Sequence, residues 1–154
     1  MTTPRPHPSS DPSATAASRS GRPAPEPPDP ELLGIATEAM AVARRIIRSR
    51  VPGAVRHKGD RDIVTDVDLA VEDAVREFLG RETPHIGLLG EEHGRTGPGG
   101  DAPWWVLDPV DGTANFAAGV PLFGCMAAAI LRGEVIAGWI HDPMGDDTAL
   151  ALRG

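Results

Sequence analysis

The sequence predicts an α+β fold in which two helices pack on one face of a mostly antiparallel sheet. Three observations carry that expectation. Two stretches, near residues 30–50 and 65–80, repeat apolar residues at helical spacing. Beyond residue 85 the chain changes to short apolar runs separated by Gly, Pro and charged residues, the punctuation of strands. Arg132-Gly133-Glu134 then joins two such runs as an antiparallel hairpin.

The first thirty of the 154 residues hold nine of the sixteen prolines, many Ser and Thr, and no large aliphatic side chain except Met1. Such a composition buries too little apolar surface to offset the entropy of ordering, so residues 1–28 are expected to be a disordered tail and 29–154 the folded part. The three basic and three acidic residues of the first thirty cancel, which leaves the net charge of −7 on residues 31–154. That balance argues against a nucleic-acid footprint and fits a cluster of carboxylates awaiting cations. The tail lacks the apolar core of a secretory signal and the Arg-rich amphipathic pattern of a transit peptide, and no run approaches membrane-spanning length. A cytoplasmic protein without membrane or nucleic-acid partners is the expectation. The single Cys125 lies in the apolar run Gly124-Cys125-Met126-Ala127 and reads as a buried small hydrophobe.

The first helix opens with Asp29 as cap and Pro30 in its first turn, and carries Leu32, Ile35, Ala36, Ala39, Val42, Ala43 and Ile46 on one face. Arg44, Arg45, Arg48 and Arg50 crowd its end, where cations complement the helix dipole, and Val51-Pro52-Gly53 stops it. His57 to Asp62 is a charged loop in which Lys58 is an ordinary exposed lysine. Thr65 or Asp66 caps the second helix, whose core face is Val67, Val71, Ala74, Val75 and Phe78. Asp68 falls in its first turn, a position that an interaction with the dipole explains by itself.

His85 to Gly90 reads as a short buried strand delivering Glu91 and Glu92 at its end, a pair that taken alone is a solvated loop. The following Gly-rich segment, residues 94–100, lacks the Lys-Ser/Thr ending of a phosphate-cradling P-loop and is expected to be a flexible connector. Trp104 to Leu107 has the composition of a buried strand, which Pro109 is expected to stop at Asp108. Across the Pro turn, Asp108, Asp111 and the carbonyl of Val110 can converge on one point, a hard-oxygen donor set suited to Mg²⁺ or Mn²⁺. A bare Asp-Pro-x-Asp is equally a capped turn. Gly112 allows close approach of the backbone, and Thr113 to Phe116 would open a short helix with N–H groups able to hold phosphate. A long strand from Val120 to Leu131 and a hairpin into Val135–Ile140 follow; His141 to Asp147 is then a structural turn into Thr148–Leu152.

Asp108-Pro109-Val110-Asp111-Gly112-Thr113-Ala114-Asn115-Phe116 resembles the signature of the inositol monophosphatase family, Mg²⁺-dependent, lithium-sensitive phosphatases of sugar phosphates. Asp62-Ile63-Val64-Thr65-Asp66-Val67-Asp68 with Glu72, and Gly90-Glu91-Glu92, match upstream in the expected order. The resemblance covers roughly residues 31–154, about the N-terminal half of a member. It implies the N-terminal part of a layered α/β/α/β/α fold, a small phosphorylated polyol or sugar as substrate, two or three Mg²⁺ ions in the complete site, and commonly a homodimer.

The residue roles are implied in the same way. Glu91, Asp108 and the Val110 carbonyl would hold one ion, and Asp108 with Asp111 a second. Asp68 and Thr113 would orient the attacking water, and the backbone N–H groups of Gly112 and Thr113 would bind the phosphate. Glu72 matches a family position too and is read as supporting rather than ligating. A full member supplies a further metal-binding aspartate from a Trp-Asp motif in its C-terminal half, whereas neither Trp104, Trp105 nor Trp139 precedes an Asp. The alternative is therefore a catalytically incomplete half that binds metal or associates. Fructose 1,6-bisphosphate, histidinol phosphate and 3′-phosphoadenosine 5′-phosphate are the rival substrates within the enzyme class.

Overall fold

The computed structural model of the chain describes residues 30–51, 53, 55–57, 63–99 and 102–153. The tail at 1–28, Asp29, and Lys58 with its loop to Asp62 lie outside the described residues. Helix α1 spans Pro30–Ser49 and buries Ala36, Ala39, Met40, Ala43 and Ile47. Leu32, Ile35, Val42 and Ile46, expected on the core face, pack only at its margin, because the buried stripe turns toward Met40 and Ile47. Strands β1 (Val55–His57) and β2 (Ile63–Thr65) pair antiparallel as a small separate ribbon, so His57, read as the start of a charged loop, instead ends a strand. Helix α2 (Asp66–Glu82) follows with Thr65 as its cap and buries Val67, Val71, Val75 and Leu79.

The remaining strands build one six-stranded sheet. They are β3 (Gly87–Gly90), β4 (Gly94–Thr96), β5 (Trp104–Asp111), β6 (Gly124–Leu131), β7 (Glu134–Asp142) and β8 (Asp147–Leu152), ordered β4-β3-β5-β6-β7-β8. Every neighbouring pair is antiparallel except β3 with β5, which is parallel. The expected fold class is observed, with one short helix, α3 (Thr113–Ala117), added after β5. Three expectations are corrected. Gly94–Thr96 is not a flexible connector but an edge strand paired with β3. The strand beginning at Trp104 does not stop at Asp108; it continues to Asp111 through Pro109 because the ladder is irregular there, so the missing proline N–H interrupts no regular pairing. Residues 120–123 precede β6 rather than extend it.

Helices α1 and α2 pack together on one face of the sheet. The core between them contains Trp105 and Trp139, tilted against each other with ring centroids 5.9 Å apart. Trp105 Nε1 donates to the Thr83 hydroxyl at 3.0 Å, and that hydroxyl donates to the Leu79 carbonyl at 2.8 Å, so the indole is satisfied while buried. Arg44 pairs with Asp146 at 2.7 Å, so a residue read as a solvated helix-end cation holds the β7–β8 turn to α1. The β6–β7 turn places Arg132 at φ 52° and Gly133 at φ 79°, the left-handed pair that matches strand twist in a two-residue hairpin. On the opposite face, Val106, Met126, Ala128, Ile140, Ala149 and Ala151 line a shallow hollow of about 400 Å³, with Ile140 56% exposed.

Trp105→Ala should lower unfolding stability by about 3–5 kcal/mol, the range for emptying a buried aromatic position. Urea unfolding measures it; a loss under about 1 kcal/mol would be incompatible with the Trp105–Trp139 contact anchoring the core.

Candidate functional site

The site grows out of the end of β5. Asp108 pairs with Met126 and Asp111 with Gly124, and the register shifts between them. This local departure from a flat strand turns two carboxylates and the Val110 backbone toward a common cavity of about 260 Å³. Glu91, Asp108, Val110, Asp111, Gly112 and Thr113 all line it, beside Ile63 and Ala114. Glu91 reaches it from β3, whose parallel register brings Gly90 opposite Leu107 and lets the Glu91 N–H donate to the Leu107 carbonyl at 3.2 Å.

Asp108 is a strongly perturbed carboxylate. Burial, then the neighbouring Glu91, which is close enough to share a proton with it, then Asp111 push its pKa up to about 7, against a smaller opposing hydrogen bond from the Val110 backbone. Its Oδ1 is buried and has no hydrogen-bond partner. A buried carboxylate oxygen without a donor, among two further carboxylates and a backbone carbonyl, fits a hard divalent cation. Among the described residues, however, no three His, Cys, Asp or Glu side chains are gathered into a ready cation cage.

Gly112 has φ 88°, and a Cβ there would come 2.9 Å from the Leu122 carbonyl, so glycine is required on both conformational and steric grounds. It leads into α3, where the N–H groups of Asn115 and Phe116 donate to the Gly112 carbonyl at 2.9 and 3.0 Å. Asn115 Nδ2 donates to the Leu122 carbonyl at 2.8 Å, and Phe116 meets Phe123 edge-on with centroids 4.9 Å apart. These contacts fix the turn from its far side.

Asp68 is 1% exposed and stands behind Thr113 rather than lining the cavity. The Thr113 hydroxyl has Asp68 Oδ1 at 2.9 Å and the Val110 carbonyl at 2.8 Å, and its one proton serves either acceptor. Asp68 Oδ2 is occupied by Thr65, which donates both its N–H, at 2.9 Å, and its hydroxyl. Thr65 and Asp68 thus form a capping box, a role for Thr65 toward the site that the Thr-x-x-acidic pattern could have disclosed. Glu72 lies fully buried beneath the turn that carries Glu91 and pairs with Arg76 at 2.6 Å, another partner whose i, i+4 spacing was readable. Cys125 is fully buried with its thiol pushed by burial up to about 12. His141 is buried with Nδ1 2.7 Å from the Thr148 hydroxyl, and burial, then Arg44, holds its pKa below the ordinary histidine value.

Without divalent cations, Asp108→Asn should stabilise the protein near pH 8. An unfolded aspartate titrates near 3.9, and the folded one at about 7. The fold therefore keeps a proton that the unfolded chain has lost, and stability from this group, complete below the unfolded value, drains away as pH rises to about 7. Thermal melts in chelator should show the variant melting above the native chain at pH 8, with the gap closing at pH 4. Identical melting at both pH values would mean that the three carboxylates do not oppose one another.

The family model described as the inositol monophosphatase family matches residues 29–154. A Mycobacterium tuberculosis protein named probable inositol 1-monophosphatase ImpA is 42% identical over 115 residues, 74% of this chain and 41% of that one. Inositol monophosphatase 1 of Solanum lycopersicum is 36% identical over 130 residues, 80% and 47% of the two chains. An Escherichia coli protein named Nus factor SuhB is 32% identical over 127 residues, 80% and 48%. Among solved structures, extragenic suppressor protein suhB from Bartonella henselae superposes with a TM-score of 0.74 at 30% identity, covering 80% of this chain and 50% of that one. The chain thus spans about half the length of the curated relatives it matches.

Proposed function

Because the chain belongs to the inositol monophosphatase family, we propose that it contributes the metal and phosphate side of a Mg²⁺-dependent phosphatase acting on small phosphate monoesters, with inositol 1-phosphate as the default substrate. The observation that carries this reading is the buried, partnerless Asp108 oxygen flanked by Glu91 and Asp111 in a cavity that ends on the Gly112–Thr113 turn. Several relatives carry inositol monophosphatase names, which supports the same substrate class.

Glu91, Asp108 and the Val110 carbonyl would hold one Mg²⁺, and Asp108 with Asp111 another. Bound there, Mg²⁺ supplies charge neutralisation at the phosphoryl and leaving oxygens and a lowered pKa for a coordinated water. The residues do the positioning. Thr113 donates its hydroxyl proton to Asp68 and so presents its own lone pairs to a water O–H; Asp68, held on its other oxygen by Thr65, is the final acceptor of the proton. Asp68 therefore acts through Thr113. The backbone amides of Gly112 and Thr113 would receive the phosphate, which Gly112 admits by having no Cβ. No described helix is long and apolar enough to cross a membrane, and a cytoplasmic location belongs to the same proposal.

A second reading is a cation-binding or association module without turnover. It keeps the Glu91, Asp108 and Asp111 carboxylates as the cation-binding element and assigns the chain no turnover. Phosphate release separates the two. Residues 1–154 should release phosphate from inositol 1-phosphate only with Mg²⁺, and Asp108→Asn should reduce the rate by about two orders of magnitude or more, the scale of losing one preorganised electrostatic contact. Parallel assays with fructose 1,6-bisphosphate, histidinol phosphate and 3′-phosphoadenosine 5′-phosphate rank the substrates. Mg²⁺ binding that requires Asp108, without phosphate release from any of the four, would establish the second reading.

A further inference from the structure

Glu72 has no exposed surface, and both of its carboxylate oxygens are hydrogen-bonded. Its Oε2 accepts the Glu92 N–H at 2.7 Å, and its Oε1 accepts the His93 N–H at 2.9 Å and Arg76 Nη2 at 2.6 Å. Arg76 continues to the Gly94 carbonyl at 3.0 Å and to the Thr96 hydroxyl, so one ion pair in α2 spans the turn from Glu92 to β4. A Cβ on Gly90 would lie 2.1 Å from Glu72 Oε1, so β3 ends directly on the carboxylate. The two amides it binds are the two that follow Glu91.

A buried ion pair is a poor way to gain stability, since desolvation of both charges offsets most of their attraction. It is a good way to fix a backbone. An acceptor aimed at two consecutive N–H groups dictates where the turn lies, and loss of either bond frees that part-buried donor to seek another acceptor and the turn to move. The Glu91 N–H is held on the other side by the Leu107 carbonyl at 3.2 Å. Glu91 is thereby suspended between β5 and α2, with its side chain delivered beside Asp108.

We propose that Glu72 is a positioning residue for the Glu91 carboxylate, holding the Glu92–His93 turn so that Glu91 joins Asp108 in one divalent-cation site. The proposal rests on the metal-site reading under Proposed function. Glu72→Gln tests it with almost no change of shape: the amide NH₂ must face either a backbone N–H or the Arg76 guanidinium, setting donor against donor.

The measurement is Mg²⁺ affinity by calorimetric titration of the full chain, well below the melting temperature, with folding checked by circular dichroism. Glu72→Gln should weaken binding by about tenfold or more, the scale for groups that orient a metal ligand. Amide exchange at Glu92 and His93 should quicken. Glu77→Gln, which removes the same charge from an exposed position of the same helix, should bind like the native chain. A folded Glu72→Gln variant with native Mg²⁺ affinity overturns the proposal, since a purely structural Glu72 lowers the melting temperature and leaves affinity alone. Should that variant not fold, Glu72→Asp decides: weakened affinity supports positioning, and unchanged affinity overturns it. Native chain that binds no Mg²⁺ removes the metal-site reading and this inference with it, whereas native binding alongside an unaffected variant removes this inference alone.

Discussion

The arrangement depends above all on the parallel pairing of β3 with β5. Their register sets Gly90 beside Leu107, so the next residues of both strands, Glu91 and Asp108, emerge together at the same end of the sheet. Two antiparallel strands would have sent these carboxylates to opposite ends. The other sheet pairings serve this one: β4 covers the free edge of β3, and the β6–β7 hairpin supports β5 from its other side. The ends of adjacent parallel strands are where α/β sheets commonly gather ligands, and here a single parallel pair in a mostly antiparallel sheet provides that geometry.

Such convergence works against the fold. Asp108 is raised far above an ordinary aspartate because partial burial and then neighbouring like charges oppose its ionisation. The protein compensates from beneath. Helix α2 supplies Asp68, gripped by Thr65, and Glu72, gripped by Arg76, so that the acidic groups away from the cavity are satisfied while Asp108 Oδ1 is not. Polar satisfaction is thus distributed unevenly, and the unsatisfied atom lies where a cation would do the most.

Much of this was legible in the sequence. The helical period located α1 and α2, the Asp108–Phe116 string located the cavity, and Gly112 was readable as a site of close approach because only glycine tolerates such a turn. What escaped was set by tertiary pairing. The three residues of β4 are too short and too rich in Gly and polar groups to show a period, and they form a strand only because β3 needs an edge partner. Pro109 was misread as a stop, since composition does not reveal where a ladder is already irregular. That the Thr113 hydroxyl stands between Asp68 and the cavity is disclosed only by the tertiary structure. The partnership of Glu72 with the Glu92 and His93 amides joins residues about twenty positions apart and has no local signature.

The chain's one thiol has a practical meaning beyond packing. Cys125 lies against Met40 under α1, fully shielded, with burial the main reason its thiol resists ionisation and the charge of nearby Asp108 the lesser one. Since the thiolate is the reacting species, this cysteine is silent toward alkylating dyes and spin labels while the fold is closed. The native sequence therefore already behaves as a cysteine-free background. Probes can be attached at introduced surface cysteines without removing Cys125, and any slow reaction of Cys125 itself becomes a clock for the lifting of α1 from the sheet.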